Sequence, residues 1–380
     1  MKILQVHNEY LQVGGEDAVV RAEADLLEAA GHEVVRWHIA NPTRPLDQVA
    51  TLIAAPYNPR RAAEAKRLGA GARPDVAHVH NTWYALTPSI LPALHSLAVP
   101  VVMTLHNFRL TCANALLQRD GEPCELCVGS HPWHGVRYKC YRDSYFASGL
   151  AAATIALNRR RRTWSDNVDR FIVLSEFAKS RLVAGGVPEE KVVTKPNFVD
   201  DPGERKAPPS ASDFVLFAGR LIEGKGILTL LDAWSLTSSK LRLVIAGDGP
   251  LREQIAAAAP GDVELLGWVE PIEIRRLMLE AKALVFPSEY YENMPMSIIE
   301  AYACGLPVVA SNRGSTTEIV APLGERWLVP PGRPERWAEA VSMLADSEEV
   351  DEAGKRARAE YESRYSPERG LANLLTAYAL

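Results

Sequence analysis

Two glutamates frame a mostly apolar segment, "EYYENMPMSIIEAYACGLPVVASN", at residues 289–312. Glu292 and Glu300 have seven residues between them, and Glu300 directly follows Ile298 and Ile299. An unpaired carboxylate is costly to bury in an apolar core. Glu300 therefore lies either on a solvated helix face or close to a ligand. Motifs elsewhere in the sequence distinguish these two alternatives.

Pro295 suits the first turn of a helix, so we expect Glu292 in a loop and Glu300 about two turns into that helix. Eight positions of helix rise by about 12 Å, so the two acids cannot hold one atom but can hold two parts of one long ligand. Free amides at the helix start favour a phosphate. Glu300 can accept hydrogen bonds from ribose hydroxyls, and Glu292 can hold sugar hydroxyls or stabilise positive charge on the sugar ring.

Two cations stand in a glycine-rich turn after a strand-like segment, "LFAGRLIEGKG". Arg220 and Lys225, beside exposed backbone amides, suit a diphosphate; the alternative is a surface turn with two solvated cations. A second turn, Gly247-Asp248-Gly249-Pro250, lets backbone approach a ligand closely, although a plain turn explains it equally well.

The elements that must position these residues form two α/β series. The first begins as strand, glycine loop, helix and strand, which opens a parallel sheet. His7, His80 and His106 follow or end apolar strand-like segments, at the sheet edge where ligands collect. We predict two Rossmann-like parallel-sheet domains facing a central cleft, with a C-terminal helix returning to the first domain. The predicted ranges are 1–201 for the first domain (with a cysteine-containing insertion at about 107–146), 202–212 for a linker, 213–362 for the second domain and 363–380 for the C-terminal helix.

Composition narrows the class of protein. With 380 residues, 47% hydrophobic and 23% charged, the chain is long enough for two globular domains. It has no apolar run of membrane-spanning length and no signal-like N-terminus. Five cysteines without a secretory signal indicate a cytoplasmic protein with reduced thiols. Residues 1–200 carry 23 Lys+Arg and 20 Asp+Glu, against 19 and 27 in residues 201–380. The two halves therefore have different surface charge, and the overall balance gives no support to nucleic-acid binding.

In this order and spacing, the motifs resemble those of the retaining glycosyltransferases of family 4, which have the GT-B fold. The resemblance runs along nearly the whole chain, from about Lys2 to the final helix. The segments that carry it are Glu292-x7-Glu300, Gly219-Arg220-Leu221 with Lys225-Gly226, Gly247-Asp248-Gly249-Pro250, "EAYACGLPVVAS", the early "VGGEDAVV" and His106 at a strand end.

The resemblance implies a role for each matching residue. Arg220 and Lys225 would bind the donor diphosphate and stabilise it as it leaves, and Glu300 would hold the ribose. The remaining contacts to the donor would come from Glu292 with the amides of Asn293 and Met294, from His106 near the reacting centre, and from Gly15, Gly219 and Gly249. Many relatives have Gly-Phe-Gly where this chain has Asn293-Met294-Pro295, and Pro295 has no N–H to offer. That departure concerns the identity of the donor sugar more than the type of reaction.

The predicted function is transfer of a hexose, with retention, from a nucleotide-diphosphate sugar to a glycan, a lipid-linked saccharide or a natural product, as in polysaccharide biosynthesis. No cofactor is required, and no metal is needed if both cations hold the diphosphate. One alternative is a nucleotide-sugar epimerase on the same scaffold. The other is a non-catalytic nucleotide-sugar-binding protein.

Two further segments remain open. The insertion has four cysteines, which either bind structural zinc or, as the loose spacing favours, are buried reduced thiols; they are Cys112, Cys124, Cys127 and Cys140. The second segment is a run of four arginines: Arg159, Arg160, Arg161 and Arg162. It forms either a solvated helix face or a contact with anionic lipid at the inner face of the membrane or with the diphosphate of a lipid-linked acceptor.

Overall fold

The computed structural model describes residues 1–11 and 14–379. The chain divides into two compact units, each built on one six-stranded parallel sheet. Unit 1 comprises Met1–Arg119, Cys124–Pro196 and Gly370–Leu380, and unit 2 comprises Asp120–Pro123 and Asn197–Arg369. The prediction of two Rossmann-like parallel-sheet domains is confirmed.

The sheet of unit 1 has the strand order β2-β1-β3-β4-β7-β8. The strands are β1 Lys2–Glu9, β2 Glu33–Ala40, β3 Val76–Asn81, β4 Val101–Leu105, β7 Arg170–Val173 and β8 Val192–Thr194. Two further short strands, β5 Gln118–Arg119 and β6 Glu122–Pro123, form a separate two-stranded sheet. Every residue of β3 and β4 is buried. Continuous burial of this kind is expected where helices cover both faces of a parallel sheet.

Eight helices of unit 1 precede or connect these strands. They are α1 Gly15–Ala29, α2 Pro45–Ile53, α3 Pro59–Ala72, α4 Ile90–His95, α5 His134–Arg137, α6 Tyr145–Arg160, α7 Thr163–Asn167 and α8 Glu176–Ala184. Side chains cap three of them at the N-terminus, as expected for Asn and Ser: Asn58 caps α3, Ser144 caps α6 and Ser175 caps α8.

The sheet of unit 2 has the strand order β11-β10-β9-β12-β13-β14. Its strands are β9 Phe214–Ala218, β10 Arg242–Ala246, β11 Val263–Gly267, β12 Ala283–Phe286, β13 Val308–Ser311 and β14 Leu328–Val329. Its helices are α9 Ile227–Leu236, α10 Arg252–Ala258, α11 Pro271–Glu280, α12 Met296–Ala303, α13 Ser315–Val320, α14 Pro334–Met343 and α15 Ser347–Glu360. The strand order reverses between β9 and β12, which is where open α/β sheets bind their ligands.

The last helix, α16 Pro367–Tyr378, completes the core of unit 1. Leu374, Ala377 and Tyr378 are buried in one cluster with residues of β1, β3, β4 and β7. Arg170 donates hydrogen bonds to the carbonyls of Thr376 and Ala379 at 3.0 Å, a favourable place for a cation because helix C-termini carry partial negative charge. The expected return of the C-terminal helix to the first domain is therefore seen.

The proline-rich segment 202–212, predicted to be a linker, packs on unit 2. Arg205 donates to the carbonyls of Met278 and Ala281, both at 2.7 Å, which are orphan acceptors at the end of α11. Ser210 is hydrogen-bonded through its backbone and its hydroxyl to Asp351. Apart from the short segment Asp120–Pro123, which belongs to unit 2, the chain passes between the units at 196/197 and at 369/370. Composition indicated an irregular segment here but not its contacts.

The run of four arginines lies at the end of α6, and two of these arginines form hydrogen bonds within the chain. Arg159 donates to the carbonyls of Ser130 at 2.8 Å and Leu110 at 3.3 Å, and Arg162 pairs with Asp166 at 3.0 Å. Arg160 and Arg161 are exposed. Arg159 is therefore not part of a free cationic face. In the described residues, no helix has both the length and the apolar character needed to cross a membrane.

Candidate functional site

Three loops meet at the carboxyl ends of neighbouring strands in unit 2. The Leu221 amide donates to the carbonyl of Asp248 at 2.9 Å, which joins the loops after β9 and β10. The Glu289 amide donates to the carbonyl of Gly224 at 2.7 Å, which joins the loops after β9 and β12. These bonds fix the loops on both sides of the point where the strand order reverses.

Glycines allow this close packing of loops. A Cβ at Gly247 would lie 1.8 Å from the carbonyl oxygen of Gly219, and one at Gly249 would lie 2.4 Å from that of Leu221. The expected close approach at Gly249 is thus an approach to the chain's own backbone. At Gly219 itself a Cβ would meet only the ring of Phe217, at an ordinary 3.7 Å, so packing within the chain does not require that glycine.

Lys225 and Glu292, 67 positions apart in sequence, form an ion pair. Their Nζ and Oε1 atoms are 2.5 Å apart, and the side chains keep only 16% and 14% of their exposure. Ser288 donates a second hydrogen bond to the same Oε1 at 2.8 Å. Burial alone would lower the pKa of Lys225, but the neighbouring Glu292 carboxylate outweighs it and the pKa is raised. The site thus holds a charged lysine whose partner is an acid predicted to contact the donor.

Arg220, the second predicted cation, is in a different state. It is exposed, and its side chain makes no hydrogen bond or ion pair with another described residue. Burial raises the pKa of Tyr290, and the positive charge of Arg220 is near enough to oppose that rise. A free guanidinium beside a buried lysine–glutamate pair is suited to binding an anion from solvent.

Helix α12 places Glu300 nearer the loop than we expected. Pro295 is the N-cap and the helix begins at Met296, so Glu300 is only its fifth residue, just over one turn in. No side chain caps this helix, and among its first amides that of Ile298 donates to the Pro295 carbonyl at 3.2 Å. Burial raises the pKa of Glu300, and Arg275 opposes the rise.

The loop before α12, with Asn293 and Met294, is anchored rather than loose. The Ser315 hydroxyl donates to the carbonyl of Glu292 at 2.5 Å. Met294 is buried. The backbone is thus anchored at Glu292, directly before the predicted donor contacts Asn293 and Met294. These two residues connect the Lys225–Glu292 pair to the start of α12.

Unit 1 contains a buried cluster of ionisable groups that sequence reasoning found only in part. Glu23 accepts a hydrogen bond from the Lys195 ammonium at 2.6 Å, and its other oxygen is 3.6 Å from Nε2 of His80. His78 lies beside them, with a ring-centroid distance of 4.0 Å to His80. Burial lowers the pKa of His78 to about 4. The position of His80 at a strand end was a usable signal, whereas Glu23 in a helix and Lys195 after β8 gave none.

Glu23, His78 and His80 bring three potential metal ligands within 4.8 Å of one another, the one such group among the described residues. The chemistry of the set does not favour a metal. The Lys195 ammonium already supplies the positive charge next to Glu23. Both ring nitrogens of His78 are engaged, with Thr104 at 2.7 Å and Tyr378 at 2.8 Å.

His106 follows β4 and contacts this cluster. Its Nε2 is 3.1 Å from Nδ1 of His80, and the rings stack with centroids 5.4 Å apart. Burial, reinforced by the nearby positive charge of Lys195, holds the pKa of His106 well below its usual value. His106 is therefore a neutral imidazole at physiological pH and can exchange hydrogen bonds without carrying charge. A cavity of about 30 Å³, room for a water, lies against it.

The glycine loop of unit 1 leads into α1. Residues 12 and 13 lie outside the described part of the chain; Gly15 is the first residue of α1 and is exposed. Glu16 accepts a hydrogen bond from the Tyr10 hydroxyl at 3.0 Å, and burial raises the pKa of its carboxyl to about 8. Asp17 is hydrogen-bonded to His7 at 2.8 Å. The structure thus adds an unusual acid next to Gly15, at the start of α1.

Comparison with known proteins finds two matching family models. Residues 13–201 match Glycosyltransferase Family 4, and residues 212–347 match Glycosyl transferases group 1. Each model corresponds to the greater part of one sheet-bearing region of the chain. The two together leave only short segments unmatched.

The curated relatives and solved structures agree with these matches. The putative colanic acid biosynthesis glycosyltransferase WcaL of Escherichia coli K12 is 29% identical over 55% of this chain and 57% of its own length. Over the first such relatives, the match spans about half of their length. Spore coat protein SA of Bacillus subtilis is 26% identical over 100% of this chain and 99% of its own.

Among solved structures, HepE from Anabaena in complex with UDP superposes with a TM-score of 0.70 at 19% identity, covering 100% of both chains. Identity this low shows the fold alone. The family models supply what the superposition cannot, because they match sequence in both units. The chain belongs to the glycosyltransferases of the GT-B fold.

Proposed function

We propose that this glycosyltransferase moves a hexose, with retention at the anomeric carbon, from a nucleotide-diphosphate sugar to a saccharide acceptor. The observation that carries the proposal is the group of charges at the reversal point of the unit 2 sheet. There an exposed Arg220 without a described partner lies near the paired Lys225 and Glu292 and the uncapped start of α12.

These groups differ in what they offer a donor. Arg220 can bind the diphosphate directly and bidentately. Lys225 would reach it by exchanging its contact with Glu292 for one with phosphate, which would free the carboxylate for hydroxyls of the sugar. Glu300, with its pKa raised by burial, would take the ribose hydroxyls.

In the proposed reaction the bond from the anomeric carbon to the diphosphate oxygen breaks while the acceptor hydroxyl attacks from the same face. The leaving phosphate oxygen takes the acceptor proton, so no separate base is needed. Arg220 and Lys225 neutralise the charge that develops on the leaving group, the kind of electrostatic stabilisation that usually contributes most to catalysis. With two cations in place, the diphosphate would need no metal. His106, as a neutral imidazole, would contact the transferred sugar.

The names of similar proteins suggest the substrates. HepE has been solved with UDP-glucose, and relatives are named for colanic acid and amylovoran biosynthesis. We therefore propose a nucleotide sugar as donor, a growing glycan or lipid-linked saccharide as acceptor, and a role in polysaccharide biosynthesis.

Calorimetric titration with UDP, GDP, ADP and dTDP, with and without EDTA, tests the donor site. We expect one nucleotide to bind in both conditions and Arg220→Ala to weaken it by at least about tenfold, the range for a hydrogen bond between charged groups. Arg336→Ala is the control, since Arg336 is also exposed in unit 2 but pairs with Glu339. Binding by none of the four nucleotides, or equal loss in both variants, would contradict the site.

The reaction type needs a second measurement. Incubation of the binding sugar nucleotide with candidate saccharides should release nucleoside diphosphate only when an acceptor is present, and the product should keep the anomeric configuration of the donor. Release without acceptor, together with an epimerised sugar, would identify an epimerase. Binding with no turnover of any kind would identify a binding protein.

We further propose that unit 1 contacts an anionic membrane on its cytoplasmic side, where a lipid-linked acceptor would be found. Only Arg160 and Arg161 carry it, because Arg159 and Arg162 are engaged within the chain. Cosedimentation with phosphatidylglycerol vesicles should fall in an Arg160→Ala/Arg161→Ala variant. Equal cosedimentation of variant and wild type would remove the membrane contact.

A further inference from the structure

A chain of polar contacts runs from the core of unit 1 to His106. Lys195 donates to Oε1 of Glu23 at 2.6 Å, and Oε2 of Glu23 lies 3.6 Å from Nε2 of His80. Across the His80 ring, Nδ1 is 3.1 Å from Nε2 of His106. Lys195, Glu23 and His80 are buried, whereas His106 is partly exposed. The chain therefore connects a buried ion pair to a side chain that a ligand can reach.

The contact between His80 and His106 permits two arrangements of protons. Burial holds the pKa of both imidazoles well below its usual value, so each ring is neutral and has one N–H. The ring planes differ by 23°, which lets the N–H of either ring point at the lone pair of the other. If His80 donates from Nδ1, His106 has its own N–H on Nδ1. If His106 donates from Nε2, its Nδ1 has a lone pair instead.

The carboxylate of Glu23 distinguishes these two arrangements. Oε2 of Glu23 and Nε2 of His80 are both buried, and neither has a hydrogen-bond partner in the part of the chain that the structure describes. An ionised carboxylate can only accept hydrogen bonds. A lone pair on Nε2 would face a second lone pair at low dielectric, which is unfavourable. An N–H there is attracted to Oε2, and a shift of about 0.7 Å would make an ordinary hydrogen bond.

The other histidines around His80 do not compete for its ring nitrogens. Both ring nitrogens of His78 are already engaged by hydroxyl groups, at 2.7 and 2.8 Å. The His7 ring meets His80 edge to face with centroids 6.3 Å apart, and its Nε2 is hydrogen-bonded to Asp17 at 2.8 Å. Glu23 is therefore the group that sets the proton position on His80.

We propose that Glu23 and His80 are positioning residues that hold the proton of His106 on Nε2, so that Nδ1 is a hydrogen-bond acceptor. No described residue is hydrogen-bonded to Nδ1 of His106. His106 directly follows β4, at the edge where parallel sheets collect their ligands. A lone pair at Nδ1 accepts from a hydroxyl and is repelled by a carboxylate or phosphate oxygen. In terms of the proposed function, on which this last step rests, its partner is a hydroxyl of the transferred sugar.

Glu23→Gln should reverse the arrangement without changing the shape of the side chain. The Lys195 ammonium has only donors, so it keeps the carbonyl oxygen of the new amide on its side. The amide nitrogen then faces His80 and donates to Nε2. His80 would carry its proton on Nδ1 and donate to His106, whose own proton would move to Nδ1.

Nuclear magnetic resonance of the wild-type chain tests the tautomer directly. In deuterated protein with protonated, ¹⁵N-labelled histidine, long-range ¹H–¹⁵N correlations distinguish a protonated ring nitrogen from an unprotonated one. His106→Gln identifies the signals of His106 by their loss. At neutral pH we expect the proton on Nε2 and none on Nδ1. A proton on Nδ1 of wild-type His106, or equal populations of the two tautomers, would overturn the proposal.

Two variants of α1 then test the part played by Glu23. Glu23→Gln should move the His106 proton to Nδ1. Asp17→Asn is the matched control, because Asp17 is a second buried acid of α1 and contacts His7 instead; it should leave the His106 tautomer unchanged. An unchanged tautomer in folded Glu23→Gln, or the same reversal in both variants, would contradict the role of Glu23. If Glu23→Gln does not fold, the wild-type spectrum decides.

Binding of sugar analogues tests the hydroxyl contact separately. UDP-glucose and its monodeoxy analogues are titrated into the wild type and His106→Ala. One analogue should bind the wild type about fivefold more weakly than UDP-glucose, the range for one neutral hydrogen bond, and His106→Ala should not distinguish the two. The matching deoxyfluoro analogue should be equally weak, because fluorine cannot donate.

The outcomes of the two measurements are distinguishable. A deoxyfluoro analogue that binds the wild type as well as UDP-glucose would show that Nδ1 donates, which would overturn the proposal. No binding of UDP-glucose would count against the proposed donor. The tautomer of the ligand-free protein would still decide whether Glu23 and His80 position His106.

Discussion

The Lys225–Glu292 pair can be tested by removing each charge singly and both together. Glu292→Gln keeps an acceptor for the Ser288 hydroxyl but leaves the Lys225 ammonium buried against the rings of Phe286 and Tyr290. Lys225→Met keeps the aliphatic stem and leaves the carboxylate with Ser288 alone. The double variant leaves neither charge behind.

The magnitude follows from burial. Both side chains are about 85% buried, with exposures of 16% and 14%, so solvent screens the pair far less than a surface pair. Removing one partner of a buried pair costs about 3–5 kcal/mol, because an uncompensated charge remains. Because both side chains keep some exposure and Ser288 still contacts Glu292, we expect each single variant to lose about 3 kcal/mol of stability. We expect the double variant to be at least ~2 kcal/mol more stable than the sum of the singles implies, about 30-fold in an equilibrium constant.

Hydrogen exchange measured by mass spectrometry supplies the assay, since it reports opening of residues 214–236 and 283–303 without requiring two-state unfolding of the whole chain. The control cycle uses Arg336 and Glu339, with exposures of 60% and 64%, where coupling should not exceed about 0.5 kcal/mol. Additive effects of Lys225→Met and Glu292→Gln, within about 0.5 kcal/mol, would refute the ion pair as an energetic unit.

Three further predictions concern other parts of the chain. Gly247→Ala should destabilise unit 2 by about 3 kcal/mol or more, because its Cβ would lie 1.8 Å from a carbonyl oxygen. The control Gly261→Ala, whose Cβ would meet nothing within 4 Å, should leave the thermal midpoint unchanged. Equal midpoints for the two variants would contradict the packing argument. Glu16 favours folding when protonated, since its pKa rises from 4.5 to about 8; this stability is complete below pH 4.5 and is lost as pH rises through 8. Melting of Glu16→Gln should therefore depend less on pH between 5 and 8 than melting of the wild type, and parallel curves would exclude the shift. Tyr378→Phe should cost about 1–2 kcal/mol by removing the 2.8 Å hydrogen bond to buried His78, seen as faster exchange in β3, and unchanged exchange would count against that bond.

Local patterns in the sequence predicted the sheets and loops well. Apolar runs such as those of β4 and β9 are buried throughout or nearly so, and such runs identify strands of a parallel sheet without any knowledge of partners. Glycines after β9 and β10 indicated the tight turns where the candidate site lies. The ion pair between Lys225 and Glu292 was not predictable, because its geometry depends on how two loops, 67 residues apart, are tied together.

The buried cluster of unit 1 shows a different limit of sequence reasoning. The strand-end positions of His7, His80 and His106 drew attention to the right edge of the sheet. Glu23, however, is fully buried on the core face of α1, and its Lys195 partner is 172 positions away. Pattern analysis assigns a buried acid to solvent unless its counter-charge is known, and only the tertiary structure supplies that counter-charge.

The contribution of α16 to unit 1 has a consequence for protein synthesis. Residues from 370 onward fill a gap between β1, β3 and β7, and Tyr378 reaches His78 across 300 positions. While the ribosome is still making unit 2, the nascent first sheet has an uncovered apolar groove. Unit 1 therefore cannot reach its final packing during translation until the polypeptide emerges past Tyr378. A late premature stop codon would damage the first-made half of the protein, and that half expressed by itself would need α16 as a separate peptide.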